Sequence, residues 1–159
     1  EKFAADAAQA GVDGVLCVDL PPEEAGEYKA ALDKNGLCSV FLVAPTTPDD
    51  RIALITAQCS GFVYYVSRLG VTGERSELVA GLQEAVGRIK RRTEKPVAVG
   101  FGISTPQQAQ AVAGMADGVV VGSAIVKLIS RLGDTPGMVA EVQDFVSALV
   151  QASKNSGKE

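Results

Sequence analysis

A chain of 159 residues, 47% of them hydrophobic, carries enough apolar material for one compact domain with a sizeable core. Lys+Arg 15 against Asp+Glu 19 leaves a net charge of −4, which argues against a nucleic-acid binder, because those are usually basic. Three cysteines without a C-x-x-C pair (Cys17, Cys38 and Cys59), no apolar run of membrane-spanning length and no signal-peptide character at the start together point to a reduced, cytoplasmic protein without a membrane partner.

The elements alternate along the chain. A helix tail from Phe3 to Ala10 stops at Gly11. The segment has no initiator Met and enters directly in helical pattern, so the chain is expected to begin mid-protein. "GVLCVDL" (Gly14 to Leu20) reads as a short apolar strand. Pro21-Pro22 opens a helix with glutamates in its first turn, ending at Asn35-Gly36. "LCSVFLVA" (Leu37 to Ala44) is the second strand. Thr47-Pro48-Asp49-Asp50 then gives a hydroxyl cap, a proline at the first helical position and two acids, starting a helix that runs to about Cys59.

"GFVYYVS" (Gly61 to Ser67) is the third strand, followed by a glycine-bearing loop from Arg68 to Ser76. Ser76 is placed to cap the helix Glu77 to Arg92, whose basic end, Lys90-Arg91-Arg92, suits the helix dipole. "PVAVG" is the fourth strand, Ser104-Thr105-Pro106 starts a helix ending near Gly114, and "GVVVG" (Gly118 to Gly122) is the fifth strand. A short helix from Ser123 to Leu132 follows. Thr135-Pro136 opens a last helix to about Ala152, which bounds the domain at 1–152 and leaves 153–159 as a polar tail.

The strands are apolar runs rather than alternating ones, so both faces are expected to be covered. Strict strand–helix alternation then predicts a parallel α/β sheet. Five such units fit either a doubly wound sheet or part of a (β/α)₈ barrel. A complete barrel needs about 250 residues. The length and the mid-helix start favour the later portion of a barrel, its strands 4 to 8.

In such folds function collects at the carboxyl ends of the strands. Those positions are Asp19, the Ala44-Pro45 corner, Ser67 with its loop, Gly100-Phe101-Gly102, and Gly122-Ser123. Glycines next to helix amino ends leave backbone N–H groups open to an anion. "GFGIS" and "VGSAI" stand where barrels often bind phosphate. Tyr64 and Tyr65 point to opposite sides of their strand, one toward the barrel interior and one toward the helices. Groups for catalysis are scarce. There is no histidine, which excludes Ser-His hydrolysis and histidine metal sites within this chain, and no metal site is expected. Asp19 is the only carboxylate at a strand's functional end, whereas acid–base work normally wants two tuned groups.

"SRLGVTG" (Ser67 to Gly73), "GFGIS" (Gly100 to Ser104), "GSAIVK" (Gly122 to Lys127) and "GVDGVLCVDLP" occur in an order and spacing that resembles the tryptophan synthase alpha chain family, from the first helix to about Ala152. The resemblance implies a TIM barrel and a lyase of tryptophan biosynthesis that splits indole-3-glycerol phosphate into indole and glyceraldehyde 3-phosphate. It implies no cofactor in this chain, and a pyridoxal-phosphate beta subunit as partner in an alpha2-beta2 heterotetramer. By the same resemblance Gly73, Gly102, Gly122 and Ser123 would give backbone donors to the substrate phosphate. Phe101 and Tyr64 would form the indole pocket with Leu16 and Val18 as apolar walls. Thr72 would support catalysis from the loop that closes the site, and Asp19 and Pro21 would meet the beta subunit.

The family's two catalytic carboxylates lie on its second strand and the following loop, upstream of this chain's first residue. The chain alone is therefore expected to be inactive. Two other readings are a related phosphate-binding barrel, such as an isomerase of phosphoribosyl amines, and a non-catalytic half-barrel that binds anions or a partner protein.

Overall fold

The structure is a computed structural model that describes residues 1–67, 75–100 and 102–156, with 75–80 as backbone. Five strands, β1 (Gly14–Leu16), β2 (Cys38–Val43), β3 (Val63–Val66), β4 (Val97–Gly100) and β5 (Gly118–Val120), form one sheet in the order in which they occur. Every neighbouring pair is parallel. Between and around them lie α1 (Lys2–Gln9), α2 (Gly26–Lys34), α3 (Asp49–Gln58), α4 (Arg75–Lys90), α5 (Pro106–Ala113), α6 (Ser123–Leu132) and α7 (Met138–Lys154). A doubly wound sheet reverses its strand order at a switch point. Sequential order with right-handed crossovers instead sends all the helices to one face and curls the sheet. The result is a curled half-barrel, the expected later portion of a (β/α)₈ fold.

The register sorts the strand residues by face. Phe41 pairs with Val63, and Tyr65 with Val99. These residues, with Val43 and Val97, are buried under Ile52 and Ile55 of α3, Leu82, Val86 and Ile89 of α4, Ala109 and Val112 of α5 and Leu149 of α7. Leu42, Tyr64, Ala98 and Gly118 form a row across four strands on the other face, and Val66, Gly100 and Val120 form a second row above it. The expectation that both faces are covered is corrected here. Leu42, Tyr64, Val66 and Val120 are half-buried and Leu16 is 40% exposed, because a five-stranded arc leaves its concave side facing a hollow.

Several boundaries also move. β1 stops at Leu16, so Cys17 to Leu20 lie in the loop above it. The helix expected from Pro21 is split into a 3₁₀ turn, Pro22–Glu24, and α2. Thr47 does not cap α3: its Oγ1 accepts from the Ala44 amide at 3.0 Å and closes the turn, while Pro48 takes the N-cap position. Ser76 lies inside α4 rather than at its cap, because that helix already starts at Arg75. The last helix opens at Met138, after a turn through Pro136.

The basic end of α4 does more than meet solvent. Arg88 donates from Nε to Asp49 Oδ1 at 2.9 Å and from Nη2 to the Thr47 carbonyl at 3.2 Å, and Arg92 reaches Asp49 Oδ2 at 3.3 Å. The two guanidinium groups hold the Asp49 carboxyl below its ordinary range. Lys90 pairs with Asp117, whose other oxygen accepts from the Val97 amide at 2.9 Å and so fixes the entry to β4.

Three outcomes are expected. Ile89→Ala, at a position 1% exposed, lowers unfolding free energy in urea titration by about 2–5 kcal/mol. Leu54→Ala, at a position 52% exposed, changes it by less than about 0.5 kcal/mol. Because the folded chain binds the Asp49 proton less readily than the unfolded chain, the Asp49 contribution is present above the ordinary aspartate value and disappears as pH falls through the depressed one. Asp49→Asn therefore flattens the acid limb of the melting-temperature profile without changing its alkaline limb.

Candidate site at the carboxyl ends of the strands

The strand tips rise from a floor built by one bare position. Gly100 ends β4 between Val66 of β3 and Val120 of β5. A Cβ at Gly100 would collide with the Tyr64 phenol oxygen and stand 2.9 Å from Val120 Cβ. The phenol end of Tyr64 thus fills the space a side chain at Gly100 would need, and burial pushes its phenol above the ordinary tyrosine value. Tyr65 goes to the helix side, 5% exposed in the main core.

Ser67, the first residue beyond β3, is 3% exposed and anchors that floor. Its backbone N–H and its hydroxyl both donate to the Gly100 carbonyl, each at 2.9 Å. The chain then turns through Gly102, whose φ of +86° suits a residue without a side chain. Gly102 and Gly122 stand two residues beyond the Gly100–Val120 pair, so the register brings both to neighbouring tips. Gly102, Gly122 and Ser123 are all exposed.

The two helix amino ends differ. Thr105 caps α5 in a full capping box, accepting from the Gln108 amide at 3.3 Å. Gln108 Oε1 in turn accepts from the Ser104 and Thr105 amides at 2.8 and 3.1 Å. The chain's own side chains therefore satisfy the Ser104, Thr105 and Gln108 amides, which removes these donors from the anion cradle expected from "GFGIS". At α6 the N-cap is Gly122, with no side-chain cap; the Ile125 amide donates to the Gly122 carbonyl at 3.0 Å, so the first-turn donors on offer are those of Ser123 and Ala124. An anion would sit at α6 and Gly102.

Leu16 and Val18 are 40% and 68% exposed at the β1 end of the same rim. Asp19 and Pro21 lie beside a cleft of about 320 Å³ together with Cys17, Leu20, Phe41 and Arg51. The structure therefore separates two groups: Tyr64, Gly102, Gly122 and Ser123 at the β3–β5 tips, and Leu16, Val18, Asp19 and Pro21 above β1. Thr72, Gly73 and Phe101 lie outside the described residues. Among the described residues no group of three or more His, Cys, Asp or Glu stands together to hold a metal, and no helix is long and apolar enough to cross a membrane.

Reading by residue type missed two contributors. Thr105-x-x-Gln108 was readable as a capping box from its spacing. The Ser67 hydroxyl carried no such signal, because its partner is 33 positions away.

The family described as tryptophan synthase alpha chain matches residues 1–154. The alpha chain of Geobacter sulfurreducens is 56% identical over 98% of this chain and 58% of its own length. That of Erythrobacter litoralis is 48% identical over 96% of this chain and 58% of its own. Among solved structures, the tryptophan synthase alpha2-beta2 complex of Pyrococcus furiosus has a chain 40% identical, with a TM-score of 0.81, over 94% of this chain and 60% of that one. An alpha chain of Legionella pneumophila gives 38% identity and a TM-score of 0.81 over 99% of this chain and 58% of that one. The chain spans little more than half the length of the curated relatives it matches.

Gly100→Ala is expected to lower thermal stability by about 1–3 kcal/mol through overpacking. Tyr64→Ala rescues this only in part, since Val120 Cβ remains 2.9 Å from the added carbon. A double-mutant cycle by thermal denaturation measures both.

Proposed function

The chain belongs to the tryptophan synthase alpha chain family, and on that premise we propose that it supplies the phosphate- and indole-binding half of an indole-3-glycerol-phosphate lyase. The observation that carries the proposal is the pairing of two bare tips, Gly102 and Gly122, with the uncapped amino end of α6. Backbone N–H groups at a helix start favour a phosphate dianion through both hydrogen bonds and the dipole. Ser123 adds its own N–H in the first turn, and Gly73 would add another. Tyr64 forms the half-buried floor beside that anion, with Leu16 and Val18 along the rim. Phe101 would pack on the indole ring. The chain needs no cofactor of its own for this task.

The proposed reaction breaks the bond between indole C3 and the glycerol chain. A proton must reach C3, and another must leave the glycerol hydroxyl that becomes the aldehyde. Each such transfer is typically worth about 10²–10⁴-fold. Among the described residues Asp19 is the one carboxylate just past a strand's functional end, and it stands above β1, away from the α6 terminus. It is better suited to partner contact. Asp19 and Pro21, next to their cleft, would face a beta subunit that carries pyridoxal phosphate, with Thr72 supporting closure of the site. The assembly would be a cytoplasmic alpha2-beta2 heterotetramer of tryptophan biosynthesis. The isomerase reading draws on "GFGI" and "GS" alone, whereas similarity along 98% of the chain favours the lyase family.

The test is calorimetric titration of the purified chain with indole-3-glycerol phosphate. A Cβ at Gly122 meets nothing within 4 Å, so Gly122→Asp folds normally. Its carboxylate takes the helix end and repels phosphate, and binding is expected to be lost with the melting temperature unchanged. Indole release is expected to equal that of this variant. Unaltered affinity in Gly122→Asp would sink the phosphate assignment, and indole yield above that of the variant would sink the inactivity of the isolated chain.

A further inference from the structure

We infer that Ser67 is a positioning residue for the anion site, acting through the Gly100 carbonyl. The inference rests on the phosphate-binding reading above. Parallel pairing requires one donor for that carbonyl, and the Ser67 backbone N–H already supplies it at 2.9 Å. The hydroxyl adds a second donor to the same oxygen, also at 2.9 Å, so both lone pairs are engaged. For satisfying the sheet this second bond is redundant. What it adds is direction.

A carbonyl held by one donor can tilt about that bond, whereas one held by two cannot. Because the peptide unit is planar, fixing the oxygen fixes the plane in which the chain leaves Gly100. Tyr64 and Val120 fill the space on the side-chain side of Gly100. Two residues later, beyond Gly102, the Ser104 amide is held by Gln108 Oε1 at 2.8 Å. Gly102 therefore hangs between two anchors, Ser67 on the strand side and Gln108 on the helix side. Holding the chain at Gly100 and again at Ser104 narrows the positions open to Gly102 between them, so less binding energy is spent on ordering it.

The experiment uses the full chain, with inorganic phosphate and indole-3-glycerol phosphate as probes and the amide shift of Gly102 as a ligand-free readout. Ser67→Ala is expected to weaken both probes by about fivefold and to shift the Gly102 amide before ligand is added. Ser67→Thr, which keeps the hydroxyl, restores affinity to within about twofold. The control is Thr56→Ala, which removes a hydroxyl 2% exposed that donates to the Ala53 carbonyl at 3.1 Å within α3. It is expected to lower the melting temperature and leave affinity unchanged. If Ser67→Ala does not fold, Ser67→Cys, a weaker donor of similar size, is read in its place. Wild-type affinity in the serine variant overturns the positioning role and leaves the phosphate site standing. So does a loss of affinity in Thr56→Ala that matches its loss of stability. Failure of the unaltered chain to bind either probe overturns the phosphate site, and the positioning role with it.

Discussion

The missing side chain at position 100 is the constraint from which the strand tips take their shape. Two neighbours use the space it leaves, the Tyr64 phenol and Val120 of β5. Ser67, just beyond β3, holds the Gly100 carbonyl. Any larger residue would push at least one of them away and loosen two strand pairings together. The floor of the site and the spacing of its tips are thus the same packing problem.

A second consequence follows from sequential strand order. With every crossover on one face, the helices cover Phe41, Val43, Val63, Tyr65, Val97 and Val99, and stability is concentrated on that outer layer. The concave side is left to function. Its lining is small or half-buried, with Ala98 and Gly118 in the lower row and Gly100 in the upper one. Side chains are sparse on the face where a flat ligand would lie, and backbone N–H groups are available above it. Binding by main chain is suited to this surface.

The ion pairs reinforce the division between layers. Asp49 with Arg88 and Arg92, and Asp117 with Lys90, join helix ends and strand entries on the outer side. These groups are substantially exposed, so their worth lies in orientation more than in energy. Asp117 shows this directly, since one carboxylate both meets Lys90 and fixes the Val97 amide.

The residue pattern alone determined the alternation of five apolar runs with helices and the parallel sheet, since these depend on local periodicity; the sequential strand order that separates a curled half-barrel from a doubly wound sheet came from the tertiary structure. It also marked Gly102, Gly122 and Ser123 as open backbone, because glycine beside a helix start is a local signal. It misjudged caps and ends at Thr47, Leu20 and Pro136; at Thr47 the turn contact with the Ala44 amide outweighs capping propensity. It could not show that the amino end of α6 lacks a side-chain cap, nor that the Tyr64 phenol fills the space over Gly100. Least of all could it pair Ser67 with a carbonyl 33 positions away. Those relations are set by strand register and by the curl of the sheet, which bring distant residues within hydrogen-bond reach only once the tertiary structure has formed.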